Sequence, residues 1–234
     1  MKHPRVAVVT GAGSGIGARI AHELHTYGWQ VAGIDRQPVI DDALTLSLVA
    51  DVADGEKVRQ AVDHVHRALG PVEGLVTAAG HYAMSPVDTI TPEEWHRMLR
   101  VHLGGLFHTA RAVLPSMIER GGGSVVAISS ELAVGGGDGE AHYAAAKGAV
   151  IGLVRSLAAE LAPHHIRVNS VAPGPTDTPL LAADSPWRDP AYLATLPTRR
   201  LARPHEIAAT ARYLLQDATF CTGEVVSPNS GAVI

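Results

Sequence analysis

The stretch RVAVVTGAGSGIG, residues 5–17, decides the fold, because an apolar run leads directly into a turn that contains four glycines. A short run that is apolar throughout predicts a parallel strand covered on both faces. Helical periodicity from Gly15 to Tyr27 follows, so the unit is a strand, a glycine-rich turn and a helix. Such a turn brings bare backbone N–H groups and the positive end of the helix dipole to one point, which suits a pyrophosphate. The alternative is a tight turn with no ligand.

The same alternation of short apolar runs and longer helical segments continues along the chain and predicts βαβ units. Strands are expected at residues 30–35, 47–51, 74–80, 124–129, 166–171 and 224–228, and helices at about 55–69, 92–119, 143–161 and 204–215. The predicted fold class is therefore α/β, a Rossmann-type, doubly wound parallel sheet of seven strands with helices on both faces.

No repeat, low-complexity tract or linker divides residues 1–234, so a single domain is expected. The proline-rich segment at about residues 175–203 is long for a loop, and it carries Trp187, Tyr192 and several leucines that favour burial. We interpret this segment as a lid over a substrate pocket.

Composition narrows the class of protein. Hydrophobic residues make up 46% of the chain, charged residues 18%, and the formal net charge is -4, which argues against disorder and against a nucleic-acid partner. Cys221 is the single cysteine, which fits a reducing compartment. The N-terminal apolar run is too short for a secretion signal, and no stretch is long enough to cross a bilayer. We expect a soluble, cytoplasmic protein with no membrane partner and no metal site.

Asp35 ends the second predicted strand, 18 residues after Gly17, and Arg36 follows it directly. A carboxylate at this place accepts hydrogen bonds from the adenosine ribose and repels a 2′-phosphate, which favours NAD over NADP. Arg36 weakens the argument, because a guanidinium could bind that phosphate instead. The alternative is that both are solvated charges at a strand end.

Tyr143 and Lys147 are four residues apart in a strongly helical segment, so their side chains share one helix face. A nearby ammonium lowers the pKa of a phenol from its usual value of about 10, so the pair predicts a proton donor and acceptor that works near neutrality. Ser129 and Ser130 end the preceding strand, where a hydroxyl can bind a carbonyl oxygen. Taken alone, the pair also fits a surface tyrosine beside a solvated lysine.

Together these motifs resemble the short-chain dehydrogenase/reductase family over essentially the whole chain. TGAGSGIG is similar to its TGxxxGxG cofactor turn, ADV to its adenine-binding pair, TAAG to its NNAG segment and APGPTDTP to its PG motif beside nicotinamide. SSELAVGGGDGEAHYAAAK matches its serine and YxxxK arrangement. By this resemblance Tyr143 is the general acid/base, Lys147 lowers its pKa and holds the nicotinamide ribose, and Ser130 orients the substrate oxygen.

The expected cofactor contacts follow from the same motifs and from the end of the second strand. They are Gly11, Gly13, Ser14, Gly15, Ile16, Gly17, Asp35, Arg36, Asp51, Val52, Ala78, Ala79, Gly80, Tyr143, Lys147, Pro173, Gly174, Thr176 and Thr178.

Two departures from the family pattern affect the site. TAAG lacks the two amide side chains of NNAG, although Thr77 can restore one local hydrogen bond. His102, in RVHLGG, stands where the family usually has an asparagine that helps to hold a water linked to the lysine. An imidazole both donates and accepts, so His102 is a candidate catalytic relay residue. A histidine that only packs the helix is the alternative.

The resemblance implies hydride transfer between nicotinamide and a secondary alcohol or ketone. Polar residues beside the catalytic segments suit a small polar metabolite such as a polyol, sugar or hydroxy acid; they are His81, Tyr82, Glu131, Glu140 and His142. The resemblance equally admits a 3-oxoacyl thioester reductase. For such an enzyme, NADP as cofactor and a basic docking patch would be expected. A non-catalytic NAD(H)-sensing regulator is a third possibility, because both departures fit a site that has lost turnover.

Small residues form one stripe of the helix that begins at Tyr143, at Ala145, Ala149, Gly152 and Ser156. Such a stripe permits close helix contact and predicts a homodimer or homotetramer, the assemblies common among similar proteins of the family. Packing against a neighbouring helix of the same chain is the alternative.

Overall fold

A computed structural model describes residues 4–233 of the chain. Seven parallel strands form one sheet in the order β3-β2-β1-β4-β5-β6-β7. They are β1 (Val6–Thr10), β2 (Gln30–Asp35), β3 (Leu46–Val49), β4 (Val72–Thr77), β5 (Gly123–Ile128), β6 (Ile166–Val171) and β7 (Val225–Val226). The predicted seven-stranded, doubly wound sheet is confirmed. The direction of winding reverses between β1 and β4, which is where such sheets bind ligands.

Helices cover both faces of the sheet. They are α1 (Gly15–Thr26), α2 (Gly55–Leu69), α3 (Pro92–Leu99), α4 (Gly105–Arg120), α5 (Leu132–Gly135), α6 (Ala141–Leu161), α7 (Pro190–Thr195) and α8 (Pro204–Arg212). Helices α2, α4 and α6 pack on one face, and α1 and α8 pack on the other. None of the helices between residues 4 and 233 is long and apolar enough to pass through a bilayer.

The alternation of side chains along β1 explains why its sequence is apolar throughout. Val6 and Val8 join the core under α2, α4 and α6, whereas Ala7 and Val9 join the core under α1 and α8. Successive side chains of a strand point to opposite faces, so a strand covered on both sides has no polar face. The edge strand β3 differs, because its residues alternate between half-buried and exposed.

The long helix predicted at residues 92–119 is interrupted by a π-helical turn, Arg100–Gly104, between α3 and α4. His102 lies in this turn. A π-helical turn inserts an extra residue per turn, and such turns occur frequently at functional sites. Sequence periodicity did not indicate this interruption, since both flanking segments keep a helical pattern.

The segment at residues 175–203 contains ordered structure of its own, a 3-10 turn at Pro186–Arg188 followed by α7. The Ser185 side chain accepts a hydrogen bond from the backbone of Trp187, and Asp189 accepts one from Ala191. Both caps directly precede a proline, and a polar cap followed by proline is a typical start of a helix. The pairs Ser-Pro and Asp-Pro therefore carried a signal for these two turns.

Candidate active site

A cleft of about 450 Å³ lies at the carboxyl ends of the central strands, across the point where the winding reverses. Its wall includes Gly11 after β1, Asp35 at the end of β2, Ala78 after β4, Ser129 after β5 and Pro173 after β6. All the predicted cofactor contacts line this cleft except Gly13.

The glycine turn forms the cleft wall with backbone. Gly11 has a φ of +69°, and a Cβ there would lie 2.8 Å from the backbone of Ala79. A Cβ on Gly17 would overlap the carbonyl oxygen of Gly11. The Ser14 side chain makes no capping hydrogen bond to α1, so the first N–H groups of the helix remain available to an anion. This cradle fits a pyrophosphate.

Gly13 was predicted to contact the cofactor, but it does not line the cleft. Its N–H donates to Asp35 Oδ2 at 3.0 Å, so it supports that carboxylate from beside the cleft. Asp35 Oδ1 also accepts from the backbone of Gln37 at 3.2 Å, and the two bonds hold the carboxylate at the cleft wall. Arg36, Asp51 and Val52 line the same end. The arrangement fits an adenosine whose ribose hydroxyls donate to Asp35.

Tyr143 and Lys147 lie on the cleft face of α6 and are only 8% and 6% exposed. Lys147 Nζ donates to the carbonyl oxygen of Ile128 at 2.8 Å. The two strand-end serines have separate places: Ser129 Oγ donates to the Lys147 carbonyl at 2.9 Å, whereas the Ser130 hydroxyl contacts Glu131. Ser129 therefore anchors α6 to β5, whereas Ser130 is close enough to Tyr143 to influence the pKa of its phenol.

The sequence predicted a pKa of Tyr143 lowered by Lys147, whereas in this structure the pKa is raised and Lys147 is not among the causes of the shift. Burial is the largest cause that raises the pKa of Tyr143, and the Glu131 carboxylate raises it further. The hydrogen bond with Ser130 opposes these effects, and Glu140 adds the smallest increase. Burial also lowers the pKa of Lys147 to about 7. Its amine lies 5.6 Å from the centre of the tyrosine ring. Helical spacing brought the two side chains together, but the depth of burial favours the neutral form of each.

His102 lies edge-on to Tyr143, with ring centres 5.4 Å apart, and is 5% exposed. Burial lowers the pKa of His102 well below its usual value, so the ring is neutral. Its Nε2 is 2.8 Å from the carbonyl oxygen of His81, which can only accept, and 3.4 Å from the backbone nitrogen of His81. The shorter contact assigns the hydrogen to Nε2. Nδ1 then accepts, and it has no partner within residues 4–233.

A cavity of about 10 Å³ adjoins His102 and Lys147 and is also lined by Thr10 and Thr77. That volume is near the minimum for one water molecule, and these four polar residues form part of an otherwise mostly apolar wall. The position of the His102 ring also requires glycine at residue 80, because a Cβ on Gly80 would overlap that ring.

The end of the cleft beside Tyr143 is built from side chains of distant segments. The Tyr82 hydroxyl donates to Glu140 Oε1 and accepts from Trp187 Nε1 at 2.8 Å. The Tyr82 ring is edge-on to Tyr143 at 5.1 Å. Burial is the largest cause that raises the pKa values of both Tyr82 and Glu140. Of the polar candidates from the sequence, His142 is buried without lining the cleft, whereas the others line it.

The sequence did not predict some of the residues that line the cleft. Arg97 and Val101 belong to the helix that holds His102, and Val233 comes from the end of the described chain. Asn229 Nδ2 donates to the Val233 carbonyl at 2.8 Å and positions that end. Arg97 and Val101 are four residues apart, about one helical turn, and Val101 directly precedes His102, so this spacing carried a signal. Nothing in the local pattern around Val233 predicted its contact.

The comparisons with known proteins agree with this geometry. A family model described as short chain dehydrogenase matches residues 5–189. The chain belongs to the short chain dehydrogenase family. It is 37% identical to an acetoacetyl-CoA reductase of Synechocystis sp., over 96% of this chain and 95% of that one. It is also 37% identical to a D-threitol dehydrogenase of Mycolicibacterium smegmatis, over 92% and 86% of the two chains.

A solved structure shows the same fold. The 3-ketoacyl-(acyl-carrier-protein) reductase of Brucella melitensis, complexed with NADH, superposes with a TM-score of 0.90 and is 30% identical. The match covers 98% of each chain. The protein is therefore a Rossmann-fold oxidoreductase of the short chain dehydrogenase family.

Proposed function

We propose that this protein is an NAD-dependent oxidoreductase that transfers a hydride between nicotinamide and a secondary alcohol or ketone of a small polar metabolite. The proposed substrate class comprises polyols, sugars and hydroxy acids. The observation that carries the proposal is the convergence of Ser130, Tyr143 and Lys147 on one wall of a cleft whose other end holds the glycine turn.

The residues at that other end support binding of a dinucleotide. The N-terminus of α1 would hold the pyrophosphate, and Asp35 would accept from the adenosine ribose and repel a 2′-phosphate. Four further residues line the cleft, and we assign them to the nicotinamide side: Pro173, Gly174, Thr176 and Thr178. When bound, the nicotinamide supplies or accepts the hydride.

Each catalytic residue then has a role consistent with its surroundings. Tyr143 keeps its proton across the neutral range, so it is ready to donate to a ketone oxygen during reduction. Ser130 would orient that oxygen. Lys147, with its pKa lowered to about 7, can exchange a proton near neutrality. We include His102 as a relay residue, since its acceptor nitrogen and the cavity near Lys147 could hold one water.

The substrate class is supported by the polarity of the cleft wall. Glu131 and Glu140 are buried acceptors that suit hydroxyl donors and disfavour an anionic thioester. Similarity to the D-threitol dehydrogenase supports a polyol. A 3-oxoacyl thioester reductase is the second candidate, and similarity to the acetoacetyl-CoA reductase favours it. A non-catalytic NAD(H)-sensing regulator is opposed by the presence of all three catalytic residues.

A substrate panel tests the proposal. Wild type and Tyr143→Phe would be assayed with polyols, sugars, hydroxy acids and an acetoacetyl thioester, each with NAD(H) and NADP(H). We expect turnover of a small polar substrate with NAD(H), reduced about 10²-fold or more by Tyr143→Phe. Turnover of the thioester with NADPH alone would favour the second candidate. NADH binding without turnover of any substrate would favour the regulator.

We also propose that the protein forms a homodimer or homotetramer in the cytoplasm. On α6, Ala145, Gly152 and Ser156 are exposed, so this stripe is available to a second copy. The single cysteine supports a reducing compartment. Light scattering after size-exclusion chromatography would give a multiple of 24.5 kDa if the assembly forms. A mass of one chain would contradict it.

A further inference from the structure

The hydroxyl of Ser130 is already occupied within its own loop. Ser130 Oγ donates to Glu131 Oε2 at 2.7 Å and accepts from the backbone N–H of Leu132 at 3.2 Å. A serine hydroxyl has one hydrogen to donate. While that hydrogen bonds Glu131, Ser130 offers a substrate oxygen only lone pairs, which repel it.

Glu131 is well placed to control this hydrogen. It is 7% exposed, and its backbone N–H donates to the Pro173 carbonyl at 3.1 Å, which fixes the loop against the sheet. Its charge affects Tyr143 and Lys147 on α6 and Tyr192 on α7, and it is itself affected by Glu140, which directly precedes α6. The carboxyl group therefore lies among the groups that would handle the proton of the reaction.

We propose that Glu131 is a positioning residue that determines where the hydroxyl hydrogen of Ser130 points. This inference rests on the proposed function. An ionised Glu131 can only accept, so it holds the hydrogen of Ser130. A protonated Glu131 donates its own hydrogen to Ser130 Oγ, which leaves the Ser130 hydrogen to bind a ketone oxygen. Only hydrogen bonds rearrange, and the proton on Glu131 exchanges with solvent.

The direction of the pH effect follows from these two states. Burial raises the pKa of Glu131 to about 6, against the opposing hydrogen bond from Ser130. Ketone reduction should therefore be favoured below this pKa and should slow as pH rises through it. Lys147 titrates close by, with a pKa of about 7, so variants are needed to separate the two groups.

The kinetic test compares Glu131→Gln with Glu131→Ala. The glutamine amide can donate to Ser130 Oγ at every pH, so it mimics the protonated acid, whereas alanine can neither donate nor accept. For wild type, we expect kcat of ketone reduction to fall about tenfold between about pH 5 and pH 8, the value of one hydrogen bond. Glu131→Gln should lose this fall and exceed wild type at the higher pH. Glu131→Ala should be slower than Glu131→Gln throughout.

A purely structural role predicts another outcome. If Glu131→Gln and wild type have parallel pH profiles, the inference is overturned while the proposed function stands. If Tyr143→Phe is as active as wild type, the proposed function itself fails.

A measurement without substrate keeps the inference testable in either case. The ¹³C NMR signal of the Glu131 carboxyl carbon, assigned by its loss in Glu131→Gln, would be titrated in wild type and in Ser130→Ala. Since the Ser130 hydroxyl stabilises the ionised form, its removal should raise the pKa of Glu131. An unchanged pKa would show that the two groups do not interact and would overturn the inference.

Discussion

The two ends of the cleft are built differently. At the end proposed to bind the cofactor, the glycine turn between β1 and α1 presents backbone to the cleft, and Asp35, Asp51 and Val52 line the wall beside it. The substrate end consists of side chains from distant segments, such as Tyr82, Glu140 and Trp187, joined by hydrogen bonds. A backbone cradle is limited by sterics, whereas a side-chain network is limited by burial and charge. Substitutions at the two ends should therefore fail in different ways.

The largest effect is expected at the cofactor end, for Gly17→Ala. The added methyl group would overlap the Gly11 carbonyl, and relief requires the turn to move away from α1. We expect NADH binding to fall below detection and the free energy of unfolding to drop by about 2 kcal/mol or more. Fluorescence titration and urea unfolding would measure these effects. Gly122→Ala is the matched control, since its Cβ would meet nothing closer than 3.7 Å. Equal behaviour of the two variants would contradict a steric limit.

The next effect concerns Lys147, whose charge is buried. Its pKa is lowered from 10.5 to about 7 in the folded protein, so the unfolded chain binds more protons between these values. The contribution of Lys147 to the free energy of unfolding should therefore be greatest above about pH 10, and it should be lost as the pH falls toward 7. Relative to Lys147→Met, wild type should gain on the order of a few kcal/mol across that range.

Urea unfolding at several pH values would measure the Lys147 effect. Lys57→Met is its control, because the Lys57 side chain is 64% exposed. A difference between wild type and Lys147→Met that does not change with pH would contradict a buried, neutralised lysine.

A smaller effect is expected for Asp35→Asn, which sharpens the account of cofactor choice. Removal of the charge removes repulsion of a 2′-phosphate while Arg36 remains beside it. The ratio of kcat/KM for NADP to that for NAD should rise about tenfold. Asp63→Asn is the control, because Asp63 lies on α2 and pairs there with Arg59, and it should leave the ratio unchanged. No rise for Asp35→Asn would remove the main argument for NAD.

The smallest effect is expected for Trp187→Phe at the substrate end. The change deletes the donor to Tyr82 and keeps an aromatic ring. We expect KM for the substrate to rise about threefold to tenfold, with NADH affinity unchanged. Tyr192→Phe is the matched control. The Tyr192 ring packs against Trp187, with ring centres 4.7 Å apart, and the substitution removes only the hydroxyl. Identical KM values for both variants would show that the network does not hold the pocket.

The difference between the two ends also explains what the sequence could predict. The glycine turn and the Tyr143–Lys147 pair depend on local spacing, so the motifs predicted their placement in the cleft. The contact between Gly13 and Asp35 depends on how two strand ends meet in space. The sign of the pKa shift at Tyr143 depends on its burial, which spacing alone does not reveal.

The central claim is hydride transfer that depends on the Tyr143 phenol. The most direct test is to supply NADH deuterated at the transferring C4 position with the best ketone of the panel, and to locate the deuterium by mass spectrometry and NMR. We predict deuterium on the carbinol carbon of the product with wild type and about 10²-fold less product with Tyr143→Phe. Product without deuterium at that carbon, or equal product from both proteins, would contradict the account.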